Sequence, residues 1–197
     1  MMPKVPYSPY NNTTPFFRKK MLYLTGFMTV LITLIFKISD LSLVTPDKNI
    51  PDGMMAFELT NNIHVTRIMA EMWGEKGRII AAFSLGLDYL YLIVYALFLG
   101  IVAFEVGKKL TGRSILLARL GYWLSWLMVV AALFDGIENF ALIRILAGCQ
   151  YPMWATISYY FASMKFTIVA ITLLYILFGL TMIWLIPKFS KTPPVSQ

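Results

Sequence analysis

Four long apolar stretches recur along the chain, with short polar stretches between them. Residues 79–104 contain a single charged side chain, Asp88, and residues 166–187 contain none. Residues 21–44 and 120–147 are similarly apolar. A helix needs about 20 apolar residues to cross a hydrocarbon layer of about 30 Å. The pattern therefore predicts an all-α integral membrane protein folded as a four-helix transmembrane bundle. We expect spans near residues 21–44, 79–104, 116–147 and 157–187.

The polar stretches predict two tails and one sizeable loop. Residues 1–20 are rich in Pro, Asn and Thr, which favours a mobile cytoplasmic tail before a membrane domain over residues 21–188. Residues 189–197 predict a second mobile cytoplasmic tail. Within the outer loop, residues 45–78, apolar side chains recur at helical spacing and predict an interfacial helix near residues 55–73. Its expected apolar face consists of Val65, Ile68, Met72 and Trp73.

Charge adds the orientation of the bundle. The net charge is +7, which by itself is compatible with a nucleic-acid partner. The basic side chains are concentrated on one side of the predicted bundle, however: Lys4, Arg18, Lys19, Lys20, Lys108, Lys109, Arg113, Arg119, Lys188 and Lys191. Cytoplasmic flanks of membrane spans carry such an excess. We therefore predict cytoplasmic N- and C-termini in a bacterial inner membrane, and no nucleic-acid partner.

Composition narrows the chemistry. The chain is 58% hydrophobic, above the roughly 45–50% of soluble domains. The lone cysteine, Cys149, excludes an internal disulfide and a cysteine-based metal cluster. The lone histidine, His64, excludes a bis-histidine haem and histidine-rich di-metal sites. We predict no metal site and no cofactor.

Charged side chains interrupt the second and third spans. The stretch "LFDGIENFALIRIL", residues 133–146, places Asp135, Glu138 and Asn139 at i, i+3 and i+4, on one helical face. About 15 apolar residues separate Asp135 from the cytoplasmic boundary, which corresponds to roughly 24 Å of helix. The same reckoning holds for Asp88. These carboxylates are therefore expected inside the hydrocarbon layer, near the outer leaflet.

The four spans each carry one polar stripe. Tyr91 and Tyr95 lie on the face of Asp88, while Lys165 and Lys37 lie on the stripes of the fourth and first spans. Charges that face lipid cost several kcal/mol, so the stripes should turn inward and meet. We predict an acidic pocket open toward the outer leaflet, lined by Asp88, Tyr91, Tyr95, Asp135, Glu138, Asn139, Lys165 and Lys37. His64, Arg67 and Trp73 are expected at its mouth.

Three classes of function remain open. The favoured one is the binding or transport of a small amphipathic or cationic ligand, a lipid, or protons. An enzyme acting on a lipid or isoprenoid would use Asp88, Asp135 and Glu138 as acid and base. An accessory subunit would pair its charges with a membrane-complex partner, and the carboxylates could instead fix helix order by pairing with lysines. Whether the chain is an enzyme or a homo-oligomer is left open.

The set "AFELT…MW…LGLDYLYLIVY…LFDGIEN…K" resembles an uncharacterised bacterial four-span membrane protein family over residues 55–175. This resemblance implies the four-span fold and no mechanism. A weaker, topological similarity is to EXPERA-type sterol-handling proteins, which also have four or five spans and an acidic pocket open toward one leaflet. It would place Asp88 and either Asp135 or Glu138 in the pocket.

Overall fold

The structure, a computed structural model, describes residues 6–45 and 47–185. Within these residues the helices are α1 (Pro15–Asp40), α2 (Gly53–Glu58), α3 (Ile63–Met72), α4 (Gly74–Leu110), α5 (Ile115–Leu146) and α6 (Pro152–Leu185). Four of them, α1, α4, α5 and α6, are long and apolar enough to cross a membrane. The predicted all-α fold with four transmembrane helices is confirmed, and the protein is an integral membrane protein. Lys4, Lys188, Lys191 and the predicted tail at 189–197 lie outside the described residues.

The helices extend beyond the apolar stretches that predicted them. α4 has 37 residues, which at about 1.5 Å per residue is roughly 55 Å, well over the ~30 Å of hydrocarbon. Its first turn contains Glu75, and its last turn contains Lys108 and Lys109. The helix therefore continues into polar surroundings at both ends, whereas hydropathy detects only its middle.

Three of the spanning helices form the centre of the bundle. α4, α5 and α6 pack on one another, and α1 packs mainly on α4. At one end, Arg18 Nε of α1 lies 2.7 Å from Glu105 Oε1 of α4, and Arg113 Nη1 donates to the carbonyl of Met182 on α6 at 2.5 Å. We call this the basic end. The opposite end, the loop end, is covered by α2 and α3.

The segment before α1 folds back onto the bundle. The buried hydroxyls of Ser8 and Ser125 lie 2.8 Å apart, and the ring of Tyr10 packs on Gly100 and Phe104. The helix itself begins at Pro15, where Thr14 caps the first turn. A mobile tail over residues 1–20 therefore does not describe the packed part of this segment. A Tyr side chain seated against a glycine on a distant helix leaves no periodic pattern in the sequence.

The loop predicted to hold one interfacial helix over residues 55–73 holds two short helices. Asn62 ends the gap between them, because its side chain accepts hydrogen bonds from two backbone N–H groups in the first turn of α3. The buried face of α3 is formed by Ile63, Thr66, Met69 and Ala70. The predicted face was wrong, since Ile68 and Met72 are 38% and 37% exposed. α3 packs onto the bundle, and packing rather than the lipid surface selects its buried face.

Close packing of α4 on α5 fixes the relative position of these two helices. A Cβ added at Gly121 would lie 2.7 Å from the carbonyl oxygen of Ala103 and 2.9 Å from the Cα of Gly107. Neither neighbour is the flexible end of a side chain, so the backbones themselves would have to separate. The hydroxyl of Tyr175 on α6 reaches the same place and donates to the carbonyl of Leu117 at 2.9 Å.

We expect Gly121→Ala to destabilise the protein by about 1–3 kcal/mol, the usual cost of overpacking a core. The free energy of unfolding in detergent measures this effect. The matched control is Gly86→Ala on α4, where an added Cβ meets nothing within 4 Å. Equal stability of the two variants would contradict the close approach of α4 and α5.

Candidate functional site

A buried lysine stands at the centre of the bundle's charged residues. Lys165 Nζ on α6 lies 2.7 Å from Asp135 Oδ1, 2.8 Å from Glu138 Oε2 and 3.7 Å from Glu58 Oε2. The side chains of Lys165, Asp135 and Glu138 are 7%, 2% and 0% exposed. We call Lys165, these three carboxylates and Asp88 the acidic cluster.

The spacing on α5 brings the cluster together. Asp135 and Glu138 both turn to α6, while Asn139, one residue further along the same face, turns to α4. There its side-chain amide donates to Asp88 Oδ2 at 2.8 Å. One face of a single helix thus joins the polar stripes of both its neighbours, as i, i+3 and i+4 positions allow.

The short helix α2 reaches the cluster from the loop end. Its last residue, Glu58, supplies a carboxylate to Lys165, and its carbonyl accepts from Ser158 Oγ of α6 at 3.1 Å. At its start, the N–H of Met54 donates to Asp40 Oδ1 at 2.7 Å. Gly53 has φ +79°, and a Cβ there would lie 2.9 Å from Asp40 Oδ2, so this turn requires glycine. Both ends of α2 are therefore held by the bundle.

Negative groups outnumber the positive one in this cluster. Four carboxylates, from Glu58, Asp88, Asp135 and Glu138, surround one ammonium group, and Asp88 has no ion pair among the described residues. A buried charge that lacks a partner is expensive, so the surplus must be met by protons or by a bound cation. Within residues 6–45 and 47–185, His, Cys, Asp and Glu form no group of three that could hold a metal ion.

A cavity of about 470 Å³ adjoins the cluster. Its wall toward the loop end is polar and includes Asp40, Glu58, Ser84, Asp88, Asp135 and Lys165. Further toward the basic end its wall is apolar and includes Phe98, Leu99, Val169 and Leu173. The volume falls within the roughly 300–1,000 Å³ of small-molecule sites. The division into a charged and an apolar half matches an amphipathic occupant.

Two hydroxyl groups on the cavity wall are unpartnered. Ser84 and Tyr95 are 5% and 6% exposed, and their side-chain oxygens make no hydrogen bond of good geometry within the described part of the chain. Both residues line the cavity. Buried polar groups are nearly always hydrogen-bonded, so these two favour a polar ligand or water at this place.

The structure brings together most of the residues that the sequence predicted for the pocket. Asp88, Tyr91, Tyr95, Asp135 and Lys165 line the cavity. Glu138 and Asn139 lie directly behind its wall, bonded to Lys165 and Asp88. Their binding or catalytic roles remain predictions.

Four predicted residues lie elsewhere. Lys37 is exposed on α1, where Phe36 instead turns toward the bundle and packs edge-on against Tyr91 at 5.2 Å. His64 is exposed on α3, and Arg67 pairs with Glu71 at 3.4 Å. Trp73 is buried against Phe57, with ring centroids 5.1 Å apart, and does not line the cavity. Helical spacing predicted a shared side for these residues, but tertiary packing set the rotation of α1 and α3.

Two carboxylates were missed by the sequence prediction of the site. Glu58 belongs to the loop, where it was counted with the charges outside the membrane, and Asp40 closes the first span. The one available signal for Glu58 is its place within the apolar stretch "MMAFEL". A lone acid in such a stretch is expected to need a buried partner.

Comparison of the chain with protein-family models, with curated proteins and with solved structures finds no match. Arguments about its function therefore rest on the geometry of the acidic cluster and the cavity.

We expect Lys165→Met to lower the free energy of unfolding by about 3–5 kcal/mol, because it leaves buried carboxylates without their cation. Unfolding in detergent measures this change. Lys76→Met, which removes an exposed lysine of α4, serves as the control and should stay within about 0.5 kcal/mol of wild type. Similar stability of the two variants would show that Lys165 does not neutralise the cluster.

Burial raises the pKa of the Glu58 carboxyl above its ordinary value of 4.5, and the neighbouring Lys165 ammonium opposes that rise in part. A carboxyl with a raised pKa keeps its proton in the folded protein at a pH where the unfolded chain has released it. Its contribution to stability therefore falls as the pH rises from about 4.5 through the folded pKa.

Glu58→Gln removes this titration, so we expect the variant to gain stability relative to wild type between about pH 5 and about pH 8. The measurement is the difference in melting temperature between variant and wild type at each pH, in which contact losses that do not depend on pH cancel. Glu71→Gln on the exposed face of α3 is the control and should show no such trend. A difference that stays constant with pH would contradict the raised pKa.

Proposed function

We propose that the protein binds a small amphipathic ligand with a positively charged head in the cavity beside the acidic cluster. The observation that carries this proposal is the surplus of buried carboxylates around a single lysine on the wall of a ligand-sized cavity. A cation in the cavity would offset that surplus, and its hydration shell would be replaced by fixed polar groups.

Asp88 is the carboxylate best suited to the ligand's head. It lines the cavity, and its one hydrogen bond among the described residues comes from the neutral amide of Asn139. Asp135 and Glu138 are engaged by Lys165 at 2.7 and 2.8 Å. Rings of Phe36, Tyr91 and Tyr95 line the same region, and aromatic faces attract cations when water is excluded.

The apolar half of the cavity favours an amphipathic ligand over a simple ion. Phe98, Leu99, Val169 and Leu173 offer no group that would coordinate an inorganic cation. They can bury a hydrocarbon portion, which contributes about 0.8 kcal/mol per methylene removed from water. A proton alone would use only the charged half.

We also propose that the basic end faces the cytoplasm of a bacterial cell, so that the acidic cluster lies toward the outer leaflet of the inner membrane. Arg18, Lys19, Lys20, Lys108, Lys109, Arg113 and Arg119 belong to the basic end. Such an excess is typical of cytoplasmic flanks. The loop end, where α2 and α3 cover the bundle, would then face outward.

Binding of radiolabelled dodecylamine to the immobilised protein in a neutral detergent tests the proposed function. We expect Asp88→Asn to weaken binding about tenfold or more, the loss that corresponds to one charge-assisted contact. Glu75→Gln, at an exposed position in the first turn of α4, should bind as the wild type does.

Dodecanol supplies the matched ligand control, since it has the same chain without the positive charge. It should bind the wild type more weakly than dodecylamine does. Equal binding of the amine and the alcohol, or an unchanged affinity in Asp88→Asn, would contradict the proposed role of the acidic cluster.

A further inference from the structure

The helix α1 stands beside α4, with a groove on each of its sides. The groove toward α5 is filled by the protein's own N-terminal segment. There Tyr10 packs with Phe104 and Tyr122, and the carbonyl of Tyr7 accepts from the indole N–H of Trp126 of α5 at 3.0 Å. Met21 of α1 packs against the same group. On this side, α1 and α5 are joined through a strip of intervening chain.

The groove toward α6 differs, because no segment of the described chain lies between the two helices. α1 and α6 do not pack closely on each other within residues 6–45 and 47–185. The cavity lies there instead, with Thr29 and Phe36 of α1 on one wall and Phe166, Val169 and Leu173 of α6 on the other. Leu173 is also 43% exposed, so the cavity wall continues onto the lipid-facing surface.

Access from the loop end is restricted. Met54, Met55 and Glu58 of α2 form the cavity wall at that end, and α2 is fastened to Asp40 and Ser158. A ligand that entered from the water on that side would have to displace α2. Entry between α1 and α6 requires no bond to be broken among the contacts described above.

The cavity runs along the helix axes. Its lining on α4 extends from Ser84 to Leu99, which is roughly 22 Å at about 1.5 Å per residue. The carboxylates occupy the part near the loop end, and the apolar residues occupy the part nearer the middle of the membrane. A lipid-like molecule lying parallel to the bilayer chains would meet the two halves in the matching order.

We infer that the cavity takes a single-chain amine from the bilayer, which enters sideways between α1 and α6. Its ammonium group lies at Asp88, and its hydrocarbon chain passes Tyr95 and lies against Val169 and Leu173. This inference rests on the proposed function for the position of the head, and it adds the route of entry and the chemical class of the tail. The volume of about 470 Å³ suits one chain.

Val169→Trp tests the route, because it narrows the apolar half without removing a carboxylate. The protein is reconstituted in bilayers of a neutral lipid, and the affinities of butylamine and dodecylamine are compared. In the wild type, affinity should rise steeply with chain length, by up to about fourfold per methylene. In Val169→Trp, dodecylamine should bind and associate at least about tenfold more weakly and slowly, while butylamine binds unchanged.

Two further variants guard the result. Ile171→Trp adds the same bulk to the 48% exposed face of α6 and should behave as the wild type does. Thr29→Trp narrows the groove from the α1 wall and should reproduce Val169→Trp, which covers the case in which the latter fails to fold. Melting temperatures show which variants are folded.

The outcomes separate the inference from the proposed function. Dodecylamine binding that depends on Asp88 but is insensitive to both groove variants would overturn the lateral route and leave the acidic site standing. Affinity that does not increase with chain length would overturn the tail site alone. Failure of every amine to bind the wild type would overturn both.

Discussion

The structure depends on the requirement that charge inside a membrane must meet other charge. Lys165 lies near the outer part of a long apolar helix, where an unpaired ammonium group would be costly. Contacts of 2.7 and 2.8 Å with Asp135 and Glu138 remove that cost and fix how α5 and α6 face each other. Asn139 then orients Asp88 on α4. The loop helix α2 joins the same group through Glu58, so one lysine organises side chains from four helices.

Neutralisation alone would need fewer acids than the cluster contains. A purely structural ion pair is complete with one carboxylate per ammonium group, and well-packed apolar residues often stabilise as well or better. Here the surplus acid faces a cavity whose far end is apolar and whose wall has buried hydroxyl groups without partners. These features together favour recognition of a ligand over maintenance of the fold.

Much of the fold and the centre of the site could be predicted from sequence, because both follow from short-range rules. Apolar length predicted the spans, and i, i+3 and i+4 spacing placed Asp135, Glu138 and Asn139 on one face. The positions of Glu58 and Tyr10 could not be predicted, because each depends on a contact across about a hundred residues of chain. Lys37 and Trp73 were misplaced for the same reason, since the rotation of a helix is set by what packs on it.

The close contact of Gly107 and Gly121 has a mechanical consequence. Backbones that touch without intervening side chains cannot slide or roll past each other at low cost, and Tyr175 ties α6 to the same place. The core of α4, α5 and α6 is thus a rigid block at the basic end. Any breathing motion of the transmembrane region falls to α1, which swings as a door hinged at the Arg18–Glu105 contact.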